Sequence, residues 1–225
     1  MPPRNLSELL ERLHVKFIGG CLCLDFVNTV GGRAGGAVIR DKLGSYQDLL
    51  DWSLLAGSAD RGAARTLARR ARRHSAEAAA VLHRAIRLRE ALYRIFLRSR
   101  SGRRPAQPDA AILRAELTNA RGQQQFALSR GGFAWTFPPR TEALDRILWP
   151  LALSAAQLLT SPDLARLGQC AGPVCGWLFL DTSRNRRRRW CDMQDCGNRA
   201  KVRRFRTKAG NPGEAASVDP SARLR

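Results

Sequence analysis

Four cysteines near the C-terminus have the spacing of a metal site. Cys170, Cys175, Cys191 and Cys196 form the pattern C-x4-C-x15-C-x4-C in this chain of 225 residues. Structural zinc takes four soft ligands in a tetrahedron, and cysteine pairs on tight turns supply them. We therefore predict one structural Zn²⁺ bound by these four thiolates. Because four protein ligands close the coordination shell, we expect no catalytic position on the metal.

The residues between the two cysteine pairs predict a hairpin. The run 177–181 is apolar and predicts a strand, 182–185 a turn, and 187–190 a returning strand. A module of about 40 residues has a small core of its own, so bound zinc would supply much of its folding free energy.

A short basic helix is predicted after the last cysteine. Asn198 is a candidate N-cap for a helix from Arg199 to about Arg206. We expect Val202 and Phe205, the apolar residues of this helix, to pack against the predicted hairpin rather than to stack on bases.

The positive charge of the chain is concentrated in two segments. The sequence has 39 Lys and Arg against 19 Asp and Glu, a formal charge of +20. Residues 61–104 carry 14 arginines and two glutamates, and residues 184–206 carry ten basic and two acidic residues, which together account for the whole surplus. Clustered cations displace counterions from a polyanion together, so nucleic acid is the predicted partner.

The second basic segment contains the predicted nucleic-acid contacts. Most would meet phosphates, while one or two helix arginines would reach guanine edges in a major groove. These contacts are Arg186, Arg187, Arg188, Arg189, Arg199, Lys201, Arg203, Arg204 and Arg206. The alternative is a solvated surface. For residues 61–104, a solvated helix face is the simpler interpretation and a secondary nucleic-acid contact the alternative.

The rest of the chain is predicted to be mostly helical. Apolar residues recur every three or four positions in six segments, which are 5–13, 45–55, 63–73, 77–99, 109–119 and 141–159. We expect Pro150 to kink the last of these helices. Gly131-Gly132 between two alternating runs predicts a hairpin over 126–137. The apolar segment 17–29 fits either a strand or a short helix.

These elements define the expected architecture. The fold class is mainly α with small β elements (α+β). A helical domain over residues 1–165 would precede a small treble-clef-like or ribbon-like zinc finger over 166–206, built from a β-hairpin and a basic helix. Residues 207–225 lack an apolar pattern and are predicted to form a disordered tail.

Asp25, Asn28 and Thr29 are polar residues within the apolar segment 17–29. They could line a pocket for a small ligand, or they could cap a turn, and the sequence leaves both interpretations open. Cys21 and Cys23 in the same segment fit apolar packing better than a metal site, because free cysteine behaves as a small hydrophobe.

The cellular location is predicted from the lack of a membrane-spanning or signal-peptide pattern in the sequence. The longest uncharged stretch, 147–162, has 16 residues, whereas a membrane-spanning helix needs about 20. The N-terminus has no continuous apolar run of the signal-peptide type. We therefore expect a cytoplasmic protein with no membrane partner.

Two stretches resemble known families. The segment from Arg189 to Lys201 resembles the CGNR zinc finger, which is named for the residues that here occupy 196–199, and Cys170 to Asp181 resembles its first half. Leu22 to Thr29 and Leu88 to Tyr93 resemble the ABATE domain, which usually precedes this finger. The resemblance implies a bacterial, stress-induced transcription regulator. Its N-terminal domain would sense an unknown small-molecule effector, and its finger would bind double-stranded DNA.

Two other functions remain open. RNA or ribosome binding would use the same basic surface, because phosphate recognition is common to both nucleic acids. The second alternative function is that of an enzyme whose N-terminal domain acts on a small molecule. The three histidines are scattered and no P-loop pattern occurs, so we expect no enzyme.

Overall fold

The computed structural model of the chain describes residues 5–35, 40–129, 131–139 and 141–209. Within these ranges the helices are α1 (Leu6–Leu13), α2 (Leu22–Val27), α3 (Tyr46–Leu55), α4 (Arg61–Arg73), α5 (Ser75–Arg100), α6 (Gln107–Gly122), α7 (Leu148–Thr160) and α8 (Asn198–Ala209). The strands are β1 (Val30–Gly31), β2 (Arg40–Asp41), β3 (Gln125–Ser129), β4 (Gly132–Thr136), β5 (Leu167–Gln169) and β6 (Leu178–Leu180). They form three antiparallel two-stranded sheets, in which β1 pairs with β2, β3 with β4 and β5 with β6.

Helix α5 lies at the centre of the hydrophobic core. Its buried Ala85, Leu88, Leu92 and Phe96 recur every three or four residues, and α2, α3 and α6 pack against the helix. Packing of these apolar faces stabilises the long helix. The helix predicted over 77–99 is confirmed, and so is the mainly α architecture with small β elements. The segment that fitted either a strand or a helix contains α2.

Ion pairs made by the buried Arg89 side chain fix the β1–β2 sheet to α5. The side chain of Arg89 is only 2% exposed, and its guanidinium donates two hydrogen bonds to the Asp41 carboxylate and one to Glu90. Glu90 also accepts two hydrogen bonds from Arg33, whose guanidinium stacks 4.2 Å from the centre of the Tyr93 ring. Bidentate pairs of this kind fix geometry as well as charge.

Other arginines of the first basic segment are also paired within the protein. Arg84 donates to Glu116 and Asp145, and Arg94 donates to Asp109. The charge of residues 61–104 is therefore partly neutralised on the surface of the helical domain itself. This favours a structural role for that part of the segment.

Two local predictions near α7 and α8 are corrected. The predicted helix 141–159 is a 3₁₀ turn, Leu144–Ile147, followed by α7. Pro150 therefore lies in the first turn of α7, where its missing N–H costs little, instead of kinking a longer helix. Helix α8 continues through residues 207–209, which were assigned to a disordered tail. Residues 210–225 lie outside the described part of the chain.

The β3–β4 hairpin confirms the prediction made from Gly131-Gly132. Its inner side carries the half-buried Ala127 and Ala134, which pair across the strands. Its outer side carries large exposed side chains, which are Phe126, Leu128, Phe133 and Trp135. Among the described helices, none has the length and apolar character required to cross a bilayer.

Candidate metal centre and nucleic-acid interface

The β5–β6 hairpin positions the first cysteine pair. Leu167 pairs with Leu180 and Gln169 with Leu178, and the loop that joins the two strands contains Cys170 and Cys175. The predicted returning strand over 187–190 is wrong, because this segment forms no strand. Its one backbone hydrogen bond to the hairpin loop joins the N–H of Ala171 to the Arg189 carbonyl.

The edge of β6 opposite β5 is already used by the N-terminal segment. The Leu180 N–H donates to the Gly19 carbonyl at 2.8 Å. The amide of Asn28 donates to the Leu178 carbonyl at 2.8 Å and accepts from the Leu178 N–H at 2.9 Å. Because these bonds occupy the outward groups of β6, residues 187–190 have no strand edge with which to pair.

The second cysteine pair lies at the start of α8. Cys191 is buried, and Cys196 lies within one turn of π-helix, Met193–Gly197, that leads directly into α8. The predicted N-cap role of Asn198 is wrong. Asn198 has helical backbone angles, and its side-chain amide donates backwards to the Gln194 carbonyl at 3.1 Å. The π-helical turn therefore continues into α8 without a cap between them.

The four thiols have the geometry of a zinc site. All four Sγ atoms lie within 4.8 Å of one another, and the distances from Cys191 to Cys175 and to Cys196 are both 3.6 Å. A tetrahedral zinc ion with Zn–S bonds of about 2.3 Å separates its sulfurs by about 3.8 Å. Cys170, Cys175, Cys191 and Cys196 therefore form a site for one structural Zn²⁺, as the spacing predicted.

The clustered thiols strongly affect one another's ionisation. Thiol hydrogen bonds from Cys175 and Cys191 lower the pKa of Cys170, whereas hydrogen bonds to Cys170 and Cys175, together with burial, raise the pKa of Cys191. One thiolate is thus stabilised at the expense of its neighbours, and a bound Zn²⁺ allows all four to ionise. Arg199 Nη2 donates to Cys196 Sγ at 3.1 Å, a contact that raises the pKa of Arg199.

Strand β6 separates the zinc centre from the main core. Phe179 packs with the cysteines Cys170, Cys191 and Cys196, while Leu178 and Leu180 are buried with the residues around α5. Successive side chains of a strand point to opposite faces, so the two leucines are buried in the main core and the phenylalanine between them is buried at the zinc centre. The finger was expected to have only a small core of its own. It is instead also anchored in the main core through Leu178 and Leu180.

Three further contacts attach the finger to the helical domain. The Trp177 indole N–H donates to the Val30 carbonyl at 2.7 Å, and the Tyr93 hydroxyl donates to the Gly176 carbonyl at 3.2 Å. Gly176 has φ +68°, and a Cβ there would lie 2.9 Å from the backbone nitrogen of Ala34. Only glycine fits this position.

An ion pair holds the second cysteine loop against the N-terminal segment. Lys16 Nζ donates to Asp192 at 2.6 Å and to Asp195 at 2.9 Å. No sequence pattern identified Lys16, Tyr93 and Trp177 as the residues that hold the finger against the helical domain. Their partners are more than 80 residues away in the chain, so no local pattern marks them.

Asp25, Asn28 and Thr29 meet protein partners. Asp25 Oδ1 accepts from the Gly19 N–H at 2.7 Å, and burial raises the pKa of its carboxyl from 3.8 to about 6. Asn28 is bound to Leu178, as described above. Thr29 Oγ1 donates to the Phe26 carbonyl at 2.8 Å and accepts from Arg89 at 3.2 Å. These bonds favour the turn-capping interpretation over the ligand pocket.

Cys21 and Cys23 lie apart from the zinc centre. Their sulfurs are 3.5 Å apart, and Cys23 is buried in the main core. In the described ranges, these two cysteines join no group of three or more potential metal ligands. Their apolar environment agrees with the packing role predicted for them.

The predicted nucleic-acid residues other than Arg188 form two exposed groups, one on either side of the second cysteine pair in the sequence. Arg186, Arg187 and Arg189 are exposed on the loop before Cys191, and the guanidinium of Arg189 lies above the Trp190 ring. The other group lies on α8. It comprises Arg199, Lys201, Arg203, Arg204 and Arg206.

Arg188 differs from the other predicted residues because its side chain is bound within the finger. Its guanidinium stacks 4.2 Å from the centre of the Phe179 ring and donates to the carbonyls of Trp190 and Cys191. These contacts hold the loop against the zinc centre and favour a structural role for Arg188, and its contact with nucleic acid stays a prediction.

The same loop forms one wall of an open groove of about 690 Å³. Its lining includes Ile18 from the N-terminal segment, the exposed Arg187 and Arg189, and Trp190 from the loop. The groove thus presents two arginines beside an indole ring. Sequence reasoning predicted the arginines but missed Ile18, which enters the wall from 170 residues away.

Together, the fold and the site define a helical domain that carries a docked four-cysteine zinc finger. Residues 20–162 match the ABATE family, described as a putative stress-induced transcription regulator, and residues 166–209 match the CGNR zinc finger. The chain belongs to the ABATE family and carries a CGNR zinc finger after the ABATE match, which confirms both resemblances. A search among curated proteins found no match.

Proposed function

We propose that the protein binds double-stranded DNA through the zinc-ordered surface of its finger and acts as a bacterial transcription regulator in a stress response. The observation that carries this proposal is the position of α8. The helix begins two residues after the zinc ligand Cys196, and Lys201, Arg203, Arg204 and Arg206 on it are exposed. None of these four pairs with an acidic side chain in the described part of the chain.

Zinc gives this surface its geometry. Cys191 and Cys196 fix the start of α8, and Cys191 also ends the loop that carries Arg186, Arg187 and Arg189. Both groups of cations are therefore attached to the same metal centre. Cations held in fixed positions lose little conformational freedom when they meet a phosphate backbone, and this favours binding.

The helical domain is the proposed sensor. Its partly buried network of Arg89, Glu90 and Arg33 reaches Tyr93, whose hydroxyl contacts the first cysteine loop at Gly176. An effector that shifts this network would act directly on the finger. We also propose that the protein is not an enzyme, because four thiolates leave zinc no open position, and that it works in the cytoplasm, where thiols stay reduced.

The test is binding to fluorescent duplex DNA across a range of salt concentrations. If about six phosphates are neutralised, log affinity should fall against log salt with a slope near −5. Replacing Lys201 and Arg203 by glutamine should reduce this slope by about two. Arg114→Gln, which removes an exposed charge from α6, is the control and should leave the slope unchanged.

RNA provides the discriminating competitor. A matched RNA duplex that displaces the DNA at equal or lower concentration would replace DNA by RNA as the target. Binding that does not depend on salt, or no binding to either duplex, would contradict a phosphate-binding role for the finger.

A further inference from the structure

Helix α8 exposes its two large apolar side chains. Val202 is 49% exposed and Phe205 is 75% exposed, although both were expected to pack against the hairpin. That prediction is wrong because α8 leaves the zinc centre at its first turn, and the side chains of residues 201–207 are all exposed. Exposed apolar groups on a basic helix need a reason other than folding.

The positions of these residues around the helix form a definite pattern. An α-helix turns by about 100° per residue, so Asn198, Val202 and Phe205 share one face. Arg199, Arg203 and Arg206 follow one side of this face, and Lys201 and Arg204 follow the other. Ala200 and Thr207 lie at the back. The apolar face therefore runs between two rows of cations.

A major groove of duplex DNA complements this pattern. Its two walls are phosphate backbones, which match the two rows of cations. Its floor presents base edges, and the C5-methyl group of thymine is the apolar group there. A narrow apolar face of two large side chains fits such a floor. It is small for a membrane-binding helix, whose apolar face is broad and continuous.

We propose that α8 lies in the major groove with Phe205 and Val202 against thymine methyl groups, so that the finger prefers sites containing thymine at those positions. This inference rests on the proposed binding of duplex DNA. The cations of α8 would supply affinity that does not depend on sequence, and its apolar face would supply the preference.

The experiment compares two duplex pools of the same mixed sequences, one synthesised with thymine and the other with uracil. Uracil lacks only the C5-methyl group, so phosphate charge and base-pairing groups are the same in both pools. Burying one methyl group gives an affinity difference of about fourfold. We expect the wild-type chain to bind the thymine pool at least about threefold more tightly than the uracil pool.

A pair of variants assigns this difference to the helix. Phe205→Ala should lose most of the preference for thymine, leaving only the part due to Val202, while keeping the salt dependence of the wild type. Phe133→Ala removes a phenyl ring of similar exposure, 69%, from the β3–β4 hairpin. It is the matched control and should keep the preference for thymine.

The outcomes separate the inference from the proposed function. Equal, salt-dependent binding of the two pools by the wild-type chain would overturn the thymine contact and leave duplex binding intact. No binding to either pool would overturn both. Loss of binding to anionic phospholipid vesicles in Phe205→Ala, with unchanged DNA preference, would also overturn the inference and assign Phe205 to a membrane surface.

Discussion

Asn28 and Leu178 form a pair of reciprocal hydrogen bonds across 150 residues of sequence. The side-chain amide of Asn28 donates to the Leu178 carbonyl and accepts from the Leu178 N–H, and both residues are buried. An asparagine side chain thus takes the place of a third strand beside β6. A residue of the helical domain thus satisfies the outward backbone groups of Leu178 in a strand of the finger.

Asn28→Ala should destabilise the whole chain. The variant leaves the buried N–H and carbonyl of Leu178 without partners, and each such group costs about 1–3 kcal/mol. We expect the free energy of unfolding, measured in urea, to fall by about 3 kcal/mol. Asn185→Ala changes an exposed asparagine of the finger and should have almost no effect. Equal stability of the two variants would show that the pair contributes nothing.

Cys191→Ser should remove the metal and with it the order of the finger. The wild-type chain should contain one zinc per molecule by elemental analysis, and the variant close to none. Structural zinc contributes on the order of 10 kcal/mol to the folding of such modules, so helicity from α8 should also decrease. Cys21→Ser is the control, because Cys21 lies outside the cluster, and it should keep one zinc. Full zinc content in Cys191→Ser would contradict the assigned ligand.

Arg187→Ala and Arg188→Ala should differ although the residues are neighbours. Arg188 stacks on Phe179 and binds two backbone carbonyls, so its loss should lower stability by about 1–3 kcal/mol. Arg187 is exposed, and its loss should leave stability unchanged while reducing the salt slope of DNA binding by about one. Urea unfolding and binding titrations measure the two effects. The reverse assignment of effects would contradict the described loop.

Asp25 should make stability depend on pH. Burial raises the pKa of its carboxyl from 3.8 to about 6, so between these values the folded state binds a proton that the unfolded state releases. Stability from this group is therefore complete below pH 3.8 and is lost as the pH rises through 6. Asp25→Asn should be more stable than the wild type at pH 8, by at most about 3 kcal/mol.

This advantage should shrink as the pH falls through 6 and disappear below 3.8. Asn185→Ala, which removes no titratable group, is the comparison and should differ from the wild type by the same small amount at every pH. An Asp25→Asn advantage that stays constant from pH 8 to pH 4 would exclude titration of Asp25 as the cause.

The sequence predicted those features that local patterns encode. Cysteine spacing identified the zinc ligands, because a metal centre imposes its own distances on short turns. Periodicity identified α5, because burial of one face repeats every three or four residues. The Gly131-Gly132 pair identified the β3–β4 hairpin through its turn.

Features that depend on distant partners could not be predicted. The partner of β6 was expected to be 187–190, yet β5 occupies one edge of β6 and Asn28 the other. Arg188 is as basic as Arg187, and only the fold places one of them over Phe179. Val202 and Phe205 have the composition of buried residues, and only the direction of α8 exposes them.

The alternation along β6 has a consequence for engineering. Two leucines of this strand are buried in one hydrophobic cluster, and the phenylalanine between them is buried in another. A fragment cut between the two family matches would leave both leucines in water and the metal loop without its support. The CGNR finger of this protein therefore cannot be transferred to another protein by itself. A chimera that contains the finger should also contain Lys16, α2 and Asn28, which contact it.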